Sequence, residues 1–442
     1  MIDHFRGGMH FPPAQPITWL DIPSSVSTTP LRITSPHKPV ITLGQSVTAG
    51  QRLTEPLSPA DPCIVSPIDG VVHAITPWPA DTFHQHKHQR KPSIRKIDTL
   101  YDIHITPNHE ETSAAIPVAP PSDRTLDHWF DILRSNGPWP QDEIGCDLIT
   151  QLETTRHQKP SHLICIGLDA FPLYSDRSSL LMTYPDDAVL GTRILGDIVG
   201  AKHVQLTLAH SAKLISQLKR PGKSFNVKCI CTDNIYPAAD PTLSAYYFAK
   251  HTKLPASQPP SKKNIVIITP WTAIRIARWI TRRALDIVQP IMIAEPNRNQ
   301  TPSTHYALPG SDICNLSPLL HGSCEALSDR LVIGNPLTGS PIAAPNAAKG
   351  TLPPTVRHGI QLISILPSNP RLEPEPCITC GWCTDVCPTD LQPVHLAELI
   401  AIKPNAPKIN KQLNFCIECG LCSHVCPSHL PLTQLLAAAK TY

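Results

Sequence analysis

Glycine is scarce in this chain, at 20 of 442 residues, below the usual ~7%. Glycine-rich turns let backbone amides converge on a phosphate, so such cradles have few places to form here. Charge of one sign is also lacking: the formal net charge is +3. A nucleic-acid partner, which would want a concentrated basic face, is therefore not expected. No apolar run reaches the ~20 residues that cross a bilayer. The best candidate, 264–280, is broken by Pro270 and carries Arg275 and Arg278. The opening MIDHFRGGMHFPP is polar and contains proline, so no secretory signal is expected.

Proline and cysteine, by contrast, are abundant, at 50 and 15 residues. Eight of the cysteines fall in a phrase written twice. CITCGWCTDVCP runs from Cys377 to Pro388, and CIECGLCSHVCP from Cys416 to Pro427. Each is C-x2-C-x2-C-x3-C-P, the bacterial ferredoxin signature for a pair of cubane iron–sulfur clusters. Three thiolates at i, i+3 and i+6 can wrap one corner of a cube, while the fourth is carried away to the other cube. The ligands are therefore expected to cross. Cys377, Cys380, Cys383 and Cys426 hold one 4Fe–4S cluster, and Cys416, Cys419, Cys422 and Cys387 hold the other. Gly381 and Gly420 suit a backbone wrapped closely around sulfide. The competing reading is structural zinc, since CxxC pairs also bind zinc tetrahedrally. Zinc needs only four thiolates per ion and leaves the CP endings and the repeat unexplained.

Seven cysteines are scattered: Cys63, Cys146, Cys165, Cys229, Cys231, Cys314 and Cys324. Cluster thiolates need a reducing compartment, so these seven are expected to be small buried hydrophobes rather than disulfides. Cys229 and Cys231 form a CxC, but the surrounding alternation reads as a strand. His84, His86 and His88 alternate in a polar stretch, where a metal site competes with a solvated loop.

The length allows about three domains. Residues 39–76 read as short strands with Gly44, Gly50 and Gly70 at turns. This suggests a β-sandwich of the biotinyl and lipoyl carrier type. The hairpin tip Ile68-Asp69-Gly70-Val71 has no lysine to modify, so the module reads as structural. Residues 97–106 read as a closing strand and 114–122 as a Pro-rich linker. Strands at 161–167, 202–208, 225–231 and 265–269 alternate with helices at 126–133, 186–199, 212–219 and up to Arg283. That is an α/β layer with a largely parallel sheet. A smaller mixed unit begins at 287–294 and 330–334. A Pro-rich link, 367–376, leads to the cysteine repeat, with helices at 393–402 and 431–440.

This ordering resembles the RnfC family, a component of the Rnf (Rsx) ion-translocating ferredoxin:NAD oxidoreductase complex. RGGMHFPP is similar to that family's opening FxGGIHPPE phrase. The resemblance implies an α/β multidomain chain. An N-terminal β barrel-sandwich-like domain spans 1–118, and a Rossmann-like core similar to the complex I flavoprotein subunit spans 122–285. A small β-grasp-like unit spans 286–355, and a two-cluster ferredoxin domain spans 365–442. The family's phosphate loop GxGGAxFP is matched by 135–142, where only Gly137 survives. Pro138 and Pro140 have no N–H to donate, and Trp139 adds bulk. The family's acidic E-x-E-P phrase is matched by Gly167-Leu168-Asp169-Ala170-Phe171-Pro172, where Asp169 keeps one carboxylate. A YPGGGE-like phrase has become Tyr236-Pro237-Ala238-Ala239-Asp240-Pro241. Gly137 and Asp169 are thus the remnants expected of a flavin and nicotinamide pocket. The lost glycines argue against FMN and NADH binding, and the alternative is a divergent pocket built from other residues.

By this resemblance the chain is an electron-transfer subunit relaying electrons through two 4Fe–4S clusters. It would be peripheral on the cytoplasmic face of the cell (inner) membrane. Its partners would be the other subunits of an Rnf-type complex, with ferredoxin or another redox protein. The activity implied is that of a ferredoxin:NAD oxidoreductase coupled to ion transport. The alternatives are a soluble flavin-dependent NADH oxidoreductase, cobalamin-reductase-like, and a non-catalytic iron–sulfur adaptor.

Overall fold

The computed structural model describes residues 7–11, 15–56, 58, 61–79, 99–122, 125–137, 139, 147–156, 158–250, 253–256, 258–294, 302–316, 320, 331–341, 354–359, 361–366, 373–403 and 407–440. The three alternating histidines at 84, 86 and 88 lie outside these residues.

Leu31–Ser35 alternates buried and half-buried side chains, as a strand with one covered face must. It pairs antiparallel with Thr99–Pro107, which pairs with Gly70–Pro79, which in turn pairs with Ser46–Val47. Leu31, Val47, Leu53, Ile68, Val72, Ile103 and Ile105 fill the interior. Gly44 and Gly50 take positive φ at turns. Gly70 does not: it opens a strand, where an added Cβ would stand 2.4 Å from the Thr106 carbonyl oxygen. The expected linker at 114–122 is partly a strand, because Ala115–Pro117 pairs antiparallel with Ala284–Asp286. Its proline lies at the end of a two-stranded ribbon, where a missing donor is tolerated.

Four parallel strands form the core, in the order Lys228–Thr232, His203–Ala209, His162–Gly167, Ile265–Ile268. The runs HLICIG and IVII are almost wholly buried, as strands covered on both faces require. Ile164, Ile166, Ile265 and Ile267 face a cluster with Ala238, Ala245 and Phe248. Leu163, Cys165, Val266 and Ile268 face the helices Pro185–Ile198 and Pro270–Arg282. Those helices touch at Gly191, where a Cβ would fall 1.8 Å from the Ala273 carbonyl oxygen. The sheet order reverses between His162–Gly167 and Ile265–Ile268. In such sheets, ligands lie beyond the carboxyl ends of the strands at that switch.

A five-stranded mixed sheet follows, in the order Ser303–Ala307, Gln289–Ala294, Gln361–Ile365, Leu331–Ile333, Ser340–Pro341. It runs past the expected limit at 355, since Gln361–Ile365 occupies its centre. Within this unit Cys314 is disulfide-bonded. The expectation that every scattered cysteine is a reduced thiol is corrected at that position. Which thiols meet depends on how distant segments pack, and composition carries no such information. Cys63, Cys165, Cys229 and Cys231 are reduced, but only Cys63 and Cys165 are buried as expected; Cys229 is half-buried and Cys231 exposed, both on the strand Lys228–Thr232.

In the last unit each cysteine phrase turns through a glycine into a one-turn helix. Gly381 (φ 82°) precedes Trp382–Asp385, and Gly420 (φ 87°) precedes Leu421–His424. The near-identical dihedrals are the structural form of the sequence repeat. Pro393–Ile402, Pro407–Leu413 and Leu432–Ala438 pack through Leu396, Ile409, Leu413 and Leu436.

Candidate iron–sulfur and pocket sites

All eight cysteines of the repeat are reduced thiols, but their surroundings differ. Cys377 and Cys380 are exposed, Cys383 and Cys416 are buried, and the rest are half-buried. Cys387 stands among the cysteines of the other phrase. Its charge acts on Cys416, Cys419 and Cys422, and burial, the larger effect, pushes all three thiols up, Cys422 to about 12. For the other set, the Glu375 N–H donates to the Ser428 carbonyl (2.9 Å), and the Ser428 hydroxyl donates to the Pro376 carbonyl (2.9 Å). These bonds place the entry to Cys377 beside the exit from Cys426.

The donor set suits iron–sulfur clusters. Backbone N–H groups already point at sulfur, from Thr379 to Cys377 Sγ and from Leu391 to Cys387 Sγ, each at 3.3 Å. The Thr433 hydroxyl lies 3.4 Å from Cys422 Sγ. Hydrogen bonds to ligand sulfur are a principal control on cluster potential.

The two phrases part at their third residue. Thr379 is exposed, whereas Glu418 is buried and ion-paired with the buried Lys440. The Lys440 ammonium also donates to the Cys416 carbonyl oxygen at 2.6 Å. The first set therefore faces solvent, beside exposed Ile378 and Trp382. The second set is enclosed and carries a buried ammonium.

The enclosed set sits against the rest of the molecule. Tyr236 donates its hydroxyl to the Cys419 carbonyl at 2.7 Å and accepts from Asn335 at 2.6 Å. The Gly8 N–H donates to the Val386 carbonyl at 2.9 Å, and Met9 bridges Tyr236. A Cβ on Gly7 would stand 2.5 Å from the Cys387 carbonyl oxygen. Ile417 packs with Leu243 and Ala256. No local signal in the sequence marks Tyr236, Asn335, Glu418 or Lys440 for these contacts.

The expected pocket remnants are not brought together by any hydrogen bond among the described residues. Gly137 follows the helix Leu126–Ser135 and packs under the N-terminal domain. A Cβ on it would lie 3.0 Å from both Pro62 Cβ and Trp139 Cδ1. Trp139 is buried, donates its indole N–H to the Leu133 carbonyl (3.0 Å), and lies under the Arg275 guanidinium at 4.4 Å.

Asp169 stands at the switch point, beyond the end of His162–Gly167. It accepts from Ser178 N–H (2.8 Å), Ser178 hydroxyl (2.9 Å) and Asn234 Nδ2 (2.6 Å). Asp176, which sequence reasoning missed, is buried alongside and accepts from the Ala170 N–H at 2.9 Å. Burial raises both carboxyls, and the charge of Asp169 adds to the rise at Asp176, which reaches about 7. Asp240 instead caps the helix Pro241–Phe248, accepting from Thr242 and Leu243 N–H. Ala238 and Ala239 are core residues.

Residues 369–428 match the family model of a 4Fe-4S dicluster domain. No curated protein matches the sequence. Among solved structures, the chain is similar to the NAD+-reducing [NiFe]-hydrogenase in its H2-reduced state, with a TM-score of 0.41 and 12% identity over 67% of this chain and 59% of that chain. The air-oxidized state gives 0.41 and 12% over 74% and 68%. The chain thus spans less than two thirds of the first hydrogenase chain. The cysteine repeat, its reduced thiols and the domain match make this an iron–sulfur electron-transfer protein. It is a mixed α/β multidomain chain carrying a ferredoxin-like dicluster domain.

Proposed function

We propose that this chain is a peripheral electron-transfer subunit of an Rnf-type ion-translocating complex, on the cytoplasmic face of the cell membrane. The observation that carries the reading is the position of the opening Gly-Gly phrase. Gly8 bonds Val386, and Gly7 lies against Cys387, so the family-like phrase closes over the enclosed cysteine set. Two 4Fe–4S clusters supply one-electron chemistry. Cys377, Cys380, Cys383 and Cys426 present the outer site to a redox partner such as ferredoxin. Cys416, Cys419, Cys422 and Cys387 hold the inner one against Tyr236 and the core. Among the described residues no helix is long and apolar enough to cross a membrane; on this reading the other subunits attach the chain to the membrane.

Anaerobic iron and sulfide analysis with EPR tests the cluster content, expected at about eight irons per chain. Half that content, or tightly held zinc, overturns it. In cells expressing the partner subunits, the protein is expected in the membrane fraction and to be released by high salt or chaotrope. A wholly unassociated protein in those cells overturns the complex assignment.

A non-catalytic adaptor is the second reading, favoured by the packing of Gly137 and Trp139. On either reading, cluster-loaded protein is expected to contain little FMN and to resist reduction by NADH. Stoichiometric FMN with rapid NADH bleaching would restore the soluble flavin-dependent oxidoreductase.

A further inference from the structure

The amino ends of the core strands carry a concentration of positive charge that nothing in the electron-transfer reading uses. His203 and Lys228 open their strands, and Lys202 precedes the first. With Arg193, Lys219 and Lys223 they line a cavity of about 500 Å³. That volume falls within the range of small-molecule sites. Among the described residues no carboxylate lines it. Arg193 has an ion-pair partner in Asp197, but among the described residues none of the four lysines is ion-paired.

Gln205 also lines the cavity. Lys219 and Lys223 stand one turn apart on the helix Ala212–Ser224, a like-charge pair that destabilises an isolated helix. Lys223 is in the last turn and complements the helix dipole, but Lys202 and Lys228 are not on helices. The local field also reaches His162, whose ring is 4.7 Å from that of His203. Burial lowers its pKa most, followed by His203 and Lys228.

We propose that this cavity binds clustered phosphate, with the lysines neutralising its charge. The cavity lies one strand length, about 20 Å, from the carboxyl strand ends, beyond which Asp169 stands and Tyr236 meets the cluster domain. It is therefore separate from both sites above. The phosphate can come from a soluble phosphorylated molecule or from anionic lipid headgroups at a membrane surface.

The test uses the cluster-loaded full chain, with inorganic pyrophosphate followed by titration calorimetry. Co-sedimentation with phosphatidylglycerol or phosphatidylcholine vesicles is run in parallel. Wild type is expected to bind pyrophosphate, to sediment with phosphatidylglycerol only, or both, weakening as salt rises. The double variant Lys219→Met/Lys228→Met is expected to bind at least about tenfold more weakly. Lys408→Met/Lys411→Met, on a helix of the cluster domain, serves as control and is expected to bind as wild type. Pyrophosphate binding without sedimentation identifies a soluble ligand, and sedimentation relieved by pyrophosphate identifies headgroups. Absence of both in wild type, or equal loss in the two variants, overturns the proposal. The iron content of each sample is measured separately, so failure here is independent of the cluster assignment.

Discussion

The hydroxyl of Tyr236 donates to the carbonyl oxygen of Cys419 at 2.7 Å across 183 residues of sequence. It joins the carboxyl edge of the parallel sheet to the enclosed cysteine set, and Asn335 of the small sheet donates to the Tyr236 hydroxyl oxygen. Replacing Tyr236 with Phe removes one bond and strands another. Denaturant unfolding is expected to show a loss of about 1–2 kcal/mol. The EPR signal of the inner cluster is expected to change while that of the outer one stays.

Changing Cys387 to Ser is expected to damage the cluster held by Cys416, Cys419 and Cys422. The cluster of its sequence neighbours, Cys377, Cys380 and Cys383, should survive. The physical basis is the placement of Cys387 among the three distant thiols. EPR of the reduced variant, with iron analysis, distinguishes the two losses. Selective loss of the outer signal would refute crossed ligation.

Lys440→Met leaves the Glu418 carboxylate buried without its partner, because both side chains are nearly inaccessible. Breaking a buried pair in this way typically costs about 3–5 kcal/mol. Adding Glu418→Gln is expected to recover much of that loss. Removing a positive charge beside Cys416 should also move the inner cluster to a more negative potential, since reduction adds negative charge. Redox titration followed by EPR reads the shift. An unchanged inner potential would confine Lys440 to a structural role.

Asp176 gives a pH signature. Its folded pKa of about 7 lies above the ordinary value of 3.8, so the folded state favours the protonated acid. This contribution is fully present below about pH 4 and is lost as pH rises through 7. Asp176→Asn, which cannot ionise, should therefore gain relative to wild type between pH 4 and 8. The relative gain is on the order of 1–3 kcal/mol. Urea unfolding of both proteins at pH 5 and pH 8 measures it. A difference that does not grow with pH would mean that Asp176 is not held protonated.

The cysteine repeat was legible because its information is local. Spacings of three and four residues, closed by proline, impose a backbone path wherever the chain places them. Gly381 and Gly420 accordingly adopt matching left-handed turns. The core strands were legible for a similar reason. A strand covered on both faces must be apolar throughout, and HLICIG and IVII are. The strand at 115–117 was hidden, because its partner lies at 284–286 and its own composition reads as a linker. Helix Ala212–Ser224 continues through Pro221, although proline in a sequence signals a stop.

What the sequence by itself determined, then, is the kind of chemistry: eight thiols in two identical frames. Tertiary structure decided that the two frames are not equivalent. One lies open to solvent beside Trp382, and the other is enclosed by Tyr236, Gly7 and Lys440. It also packed Trp139 under Arg275 and gave Asp169 the buried neighbour Asp176. Ligand type and spacing are properties of adjacent residues. Burial, charge pairing and access depend on which distant segments the fold brings together, and that follows from the packing of the whole chain.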